Sequence, residues 1–128
     1  MADAKPVILC IDDDPDILEF LRIVLTAEGY QYADADSAEE GLRVYKEVDP
    51  TVVIVDLMME EVDSGTEFAR ELMILGNRAP VFMLSSVGDN LSMVTDYMSL
   101  GLAGVFQKPL DRTHFLSVLA ASLAEMGS

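Results

Sequence analysis

The chain alternates between short, almost wholly apolar runs and longer segments whose apolar residues recur at helical spacing. Val7 to Ile11 is continuously apolar, as a strand covered on both faces must be. Asp14 and Pro15 then predict a helix start, because an aspartate side chain accepts from a free helical N–H and proline has none to leave unpaired. Ile17, Leu18, Leu21, Val24 and Leu25 continue the period, and Gly29 ends it. Residues 30–34 form a weaker, more polar strand suited to a sheet edge. Ser37 with Glu40 makes a capping box opening a second helix, with Leu42, Tyr45 and Val48 inward and Asp49-Pro50 closing it.

Thr51 to Val55 is the most strand-like segment, β-branched throughout. A loop over 58–63 leads to a helix from about Gly65 to Leu75, stopped by Gly76-Asn77. Val81 to Leu84 reads as strand four. Asp89 caps a fourth helix carrying Leu91, Val94 and Met98. Gly101 and Gly104 bracket a turn into strand five, Val105 to Gln107. A last helix from about Asp111 to Glu125 presents Phe115, Leu116, Val118, Leu119 and Leu123. Five βα units without an insertion or repeat predict one α/β domain over residues 1–128, with five strands and five helices.

Composition narrows the function classes. With 23 acidic and 8 basic residues the formal charge is −15. Such a surface repels nucleic acid and anionic membrane, so neither is an expected partner. The apolar runs are too short to span a bilayer, and MADAKPV is not a secretory signal. The single Cys10 lies within an apolar run, so no disulfide framework exists and a cytoplasmic location is expected. The ordinary reading of the acidic surplus is solubility. Acidic residues at 12, 13, 14 and 16 are different, since like charges crowded at a strand end destabilise it unless a cation binds.

Four of the apolar runs end on polar residues of different chemistry: Asp12 and Asp13, Asp56, Ser85, and Lys108 followed by Pro109. If the runs are parallel strands, these ends share the edge where open α/β sheets bind ligands. Three carboxylates, a hydroxyl and an ammonium there match a divalent cation and a phosphoryl group. Mg²⁺ takes octahedral oxygen ligands and usually only one or two direct carboxylates, so one of Asp12 and Asp13 could bind directly and the other through water. The alternative for that pair is a solvated helix N-terminus. Asp56 ends the most strand-like run, where an unpaired carboxylate is expensive, and can act as a nucleophile towards phosphorus. Ser85 alone reads as a loop cap, and Lys108 alone as a solvent-facing lysine. The proline after Lys108 restricts it and can hold a cis bond that aims the side chain.

From VILCIDDDPDILEFL through VVIVDLMM and VFMLSS to GVFQKPL, the whole chain resembles the receiver domains of two-component response regulators, in the manner of the single-domain chemotaxis regulators. The resemblance implies a flavodoxin-like, doubly wound parallel sheet in the order 2-1-3-4-5. It implies that Asp56 accepts phosphate from a phosphohistidine on a histidine kinase or phosphotransfer protein. Mg²⁺ would be held by Asp13 and Asp56 directly, by Asp12 through water and by the Met58 backbone carbonyl. Ser85 would hydrogen-bond the phosphoryl group and Lys108 would pair with one of its oxygens. A downstream effector protein would read the face of helix four, strand five and helix five. Apart from its own phosphotransfer and slow autodephosphorylation, such a domain is not an enzyme.

The chain departs from that pattern at several positions. Glu60 and Ser64 stand where proline and glycine are usual, and Gly65 lies one position late. Val105 occupies the place, three residues before the lysine, where receivers commonly put a switching aromatic; Phe106 follows it and by strand alternation packs on one face. The signal is then expected to travel by the loop after Ser85. Met58 and Val87, at the two positions that tune hydrolysis in the family, are both apolar and cannot orient water, which implies a long-lived phosphate. The lone His114 reads as a partly exposed helical residue, and the eight methionines as core or interface. Two other readings remain open: a pseudo-receiver docking module, and a Mg²⁺-dependent phosphohydrolase in which Glu60 serves as acid. The latter lacks the cap such enzymes carry.

Overall fold

Val7–Ile11 forms β1 of a five-stranded parallel sheet in a computed structural model that describes residues 5–57, 64–86 and 102–126. The remaining elements are α1 (Pro15–Ala27), β2 (Gln31–Ala35), α2 (Ala38–Val48), β3 (Val52–Asp56), α3 (Ser64–Ile74), β4 (Val81–Ser85), β5 (Gly104–Gln107) and a C-terminal helix, α4 (Arg112–Met126). The strand order is β2-β1-β3-β4-β5, the doubly wound order expected. The described residues carry four helices; the helix expected over 89–98 lies outside them.

Alternation along the strands divides the core in two. Leu9, Ile11, Val53, Val55 and Met83 face α2 and α3, where Val44, Phe68 and Leu72 meet them. Ile8, Cys10, Ile54, Phe82, Leu84 and Phe106 face the other way, onto Leu21, Val24 and Leu25 of α1 and Phe115 and Leu119 of α4. Both faces are therefore covered, which explains why β3 and β4 read as unbroken apolar runs. β2 is half exposed, as an edge strand should be. Cys10 is buried and free.

The helix ends follow the caps read from sequence. Asp14 Oδ1 accepts from the Asp16 N–H at 2.9 Å, with Pro15 at the first position. Gly29 takes φ +88° past the end of α1. Ser37 Oγ accepts from the Glu40 N–H at 3.1 Å, while the Glu40 carboxylate turns outward to Arg43 instead of closing the box. Asp111 Oδ2 accepts from the His114 N–H and starts α4.

One difference concerns the inner face of α2. Leu42, Tyr45 and Val48 pack against the core as expected but stay partly buried, while Gly41 and Val44 are the buried residues of the helix. The physical reason is proximity: a Cβ on Gly41 would lie 2.7 Å from Ile11 Cδ1, so the helix rests on β1 at the position without a side chain.

Candidate functional site at the carboxyl edge of the sheet

Register brings the polar strand ends together step by step. Ile11 lies opposite Val55 and Asp56 opposite Leu84, so Asp12 follows beside Asp56. Ser85 lies opposite Gln107, which puts Lys108 one position further on. The ladders extend just past the strands to hold these backbones: Asp12 N–H donates to Ala35 O at 3.2 Å, and Lys108 N–H to Ser85 O at 2.7 Å. The Lys108-Pro109 peptide is cis, as the pair allows.

Among the described residues, the buried polar or charged side chains are Asp12, Asp56 and Ser85, all at this edge. Lys108 Nζ reaches back between the two acids, 2.9 Å from Asp12 Oδ2 and 3.2 Å from Asp56 Oδ1. Asp12 Oδ1 accepts from the Asp14 N–H at 2.9 Å. The Oδ2 contact with Lys108 is an ion pair by distance but lacks hydrogen-bond direction, leaving that buried oxygen without a hydrogen-bond partner. Asp13 points to solvent next door.

These surroundings set the titration of each group. Burial raises the Asp12 carboxyl, against the pull of the Asp14 N–H and Lys108. Burial, then the Asp12 charge, pushes Asp56 up to about 6, with Lys108 opposing. Burial pulls the Lys108 ammonium down, but its two carboxylate partners outweigh that and its pKa rises overall. One cation thus serves two buried anions. That leaves negative charge uncompensated, the electrostatic condition for binding a further cation.

The donor set fits that role. Asp12, Asp13 and Asp56 offer carboxylate oxygens within 4.8 Å of one another, and one buried oxygen lacks a hydrogen bond. All-oxygen ligation by carboxylates selects hard divalent ions such as Mg²⁺.

A sequence profile described as the response regulator receiver domain matches residues 8–120. The chain belongs to the response regulator receiver family. It is 37% identical over 112 residues to the transcriptional regulatory protein GlrR of Escherichia coli (strain K12), covering 84% of this chain and 24% of that protein. It is 35% identical over 122 residues to the transcriptional regulatory protein KdpE of Mycobacterium tuberculosis (strain H37Rv), covering 91% of this chain and 50% of that one. The receiver therefore spans a quarter to a half of the length of these relatives. Among solved structures, a response regulator receiver domain from Clostridium thermocellum superposes with a TM-score of 0.86 at 27% identity, over 95% of this chain and 97% of that one. The resemblance drawn from the strand-end motifs and the sheet order it implied are both correct.

Of the residues expected at the receiver's site, Lys108 pairs with Asp12 and Asp56, Asp13 lies within 4.8 Å of both acids, and Ser85 ends the neighbouring strand at the same edge. Met58, Glu60 and Val87 lie outside the described residues. Sequence reasoning did not find that Asp12 is the nearer partner of Lys108. Spacing alone carries no signal for it, since Asp14 makes the same bond to the Asp16 N–H and is exposed. No helix among the described residues is long and apolar enough to cross a membrane.

Proposed function

We propose that this receiver takes a phosphoryl group onto Asp56 from the phosphohistidine of a histidine kinase or phosphotransfer protein. The observation that carries the reading is the single Lys108 ammonium shared by the buried Asp12 and Asp56 carboxylates, with Asp13 adjoining. An Asp56 oxygen attacks phosphorus, an O–P bond forms, and the P–N bond to imidazole breaks; the imidazole leaves and regains its proton from solvent. Mg²⁺ held by Asp13 and Asp56, by Asp12 through water and by the Met58 carbonyl would neutralise charge on the transferring oxygens. Lys108 then pairs with a phosphoryl oxygen and the Ser85 hydroxyl donates to another. The reaction is one stoichiometric transfer and not a turnover of phosphomonoesters.

Phosphorylation adds about two negative charges and three acceptor oxygens beside Lys108. The rearrangement of Lys108 and Ser85 alters the face that carries β5 and α4, where an effector protein docks in the cytoplasm. Incubation with Mg²⁺ and acetyl phosphate, followed by intact mass and peptide mapping, tests this. A hydroxylamine-labile phosphate on Asp56, absent from Asp56→Asn, is the expected result. An unmodified chain would instead support a docking module that never carries phosphate. Met58 and Val87 lack groups that orient water, so the phosphate should decay more slowly in wild type than in Met58→Asn or Val87→Glu, followed by loss of the mass increment.

A further inference from the structure

An aromatic cluster sits directly behind Lys108. Phe106, two residues earlier on β5, is buried and stacks on Phe82 of β4 with ring centroids 5.1 Å apart and planes at 30°. Its other side meets Phe115 of α4 edge-on, 5.0 Å away at 69°. The ring of His114, exposed on the first turn of α4, stands edge-on to the same Phe106 ring at 6.3 Å. Gly104 makes room for this arrangement: it lies opposite Phe82, and a Cβ there would come within 3.3 Å of the Phe82 ring.

We propose that Phe106 is the coupling residue of this receiver, passing displacement of the Lys108 strand end through Phe82 and Phe115 to α4 and, at the surface, to His114. The inference rests on Asp56 being the phosphate acceptor. Three features support it. Lys108 is tied both to the acids at the site and, through its backbone, to Ser85 O at 2.7 Å, so a phosphoryl group that recruits Nζ pulls on the end of β5. Along a strand rising ~3.3 Å per residue, Phe106 is only ~7 Å behind Lys108. Interiors are close-packed and rings prefer discrete stacked or edge-on geometries, so a shift of Phe106 is passed on to the rings it touches and not absorbed. The surface position three residues before the lysine is Val105, which packs partly buried against the other core and has no ring to turn.

Because His114 is the single histidine, its imidazole resonances identify themselves. The full chain is treated with Mg²⁺ and acetyl phosphate at constant pH, as wild type, Phe106→Leu and Phe106→Met, the last removing the ring while its flexible, unbranched side chain adapts to the space left. Intact mass reports phosphate on Asp56, proton spectra report His114, and amide hydrogen exchange reports residues 115–119. Phosphorylated wild type should show both a moved His114 resonance and altered exchange in α4. Both variants should take up phosphate to the wild-type extent, with the phosphorylation-induced change in exchange reduced to less than half. Comparing states within each variant removes any general loosening of the helix, and if the leucine variant fails to fold the methionine variant decides. Phosphorylated wild type with an unmoved α4, or variants whose change equals that of wild type, would overturn the coupling alone. No mass increment on wild type would overturn the acceptor reading and the coupling with it.

Discussion

Asp56 carries its charge in a place where burial and the Asp12 carboxylate both oppose ionisation, so its carboxyl rises from 3.8 to about 6. The consequence for stability has the opposite sign to that of an ordinary paired aspartate. Between pH 4 and 6 the folded chain holds a proton that the unfolded chain has released, so this group's contribution falls as pH rises through that window and stays low above it. Asp56→Asn keeps the shape and removes the charge. Above pH 7, with chelator present, the variant should therefore be more stable than wild type by about 1–3 kcal/mol, the scale of a shift near two pH units. Urea titrations from pH 4 to 8 should show the gap opening as pH rises; a gap independent of pH would contradict the assignment. Asp12 shifts in the same direction and is coupled to Asp56 through its charge and the shared Lys108, so its relief in the variant adds to the same gap. The outward carboxylates of Glu19 and Glu40 shift oppositely through their arginine neighbours, but that effect is common to the two proteins and cancels. The identity of these site residues was legible because strand ends in a parallel sheet must share an edge. Which of the adjacent Asp12 and Asp13 turns inward was not, because that depends on one side-chain bond to the Asp14 N–H and on where Lys108 reaches.

Helices and strands were legible wherever the signal is local. Pro15 after Asp14, Ser37, Gly29 and the β-branched run of β3 each act within a few residues, and the elements begin and end within a residue or two of them. The seating of α2 was not, because it depends on distance between elements. In sequence Gly41 reads as a helix-weakening residue, and the larger Leu42, Tyr45 and Val48 attract the inward assignment; in the fold Gly41 is the contact point against Ile11 and Phe68. Gly41→Ala separates the two views. By helix propensity alone it should stabilise by about 1 kcal/mol. The added Cβ, however, would meet Ile11 Cδ1 at 2.7 Å and Phe68 Cε1 at 3.1 Å, and overpacking a filled core typically destabilises by about 1–3 kcal/mol. A net loss of about 1 kcal/mol is expected in urea denaturation. Ile11→Val, which removes the Cδ1 nearest the new methyl, should recover part of it in the double variant. Additive losses would mean that the two sites do not touch.

Across the whole molecule, charge is the dominant unspent interaction. Arg22, Arg43 and Arg70 pair with glutamates three or four residues away on their own helices, and Lys108 serves the site, so half of the eight cations are engaged locally against a formal charge of −15. Exposed pairs of that kind add little, because solvent screens them, so self-repulsion among the remaining acids is left largely to solvent and salt. Sodium chloride raised from about 0.01 M to 0.1 M shortens the screening length from roughly 30 Å to roughly 10 Å and should raise the melting temperature without any specific site. MgCl₂ at matched ionic strength should raise it further, because binding to the folded chain at about a hundredfold over the dissociation constant adds roughly 2.7 kcal/mol. For a chain of this size that is an excess of roughly 10 °C. Asp13→Asn keeps the screening response, since one charge in so large a surplus hardly alters it, but takes an exposed oxygen ligand from the three-carboxylate cluster. The magnesium excess should therefore collapse in that variant while the sodium response persists. If both salts stabilised wild type equally, the acidic edge would be a charged surface and nothing more, and the cation's place beside Asp56 would be lost.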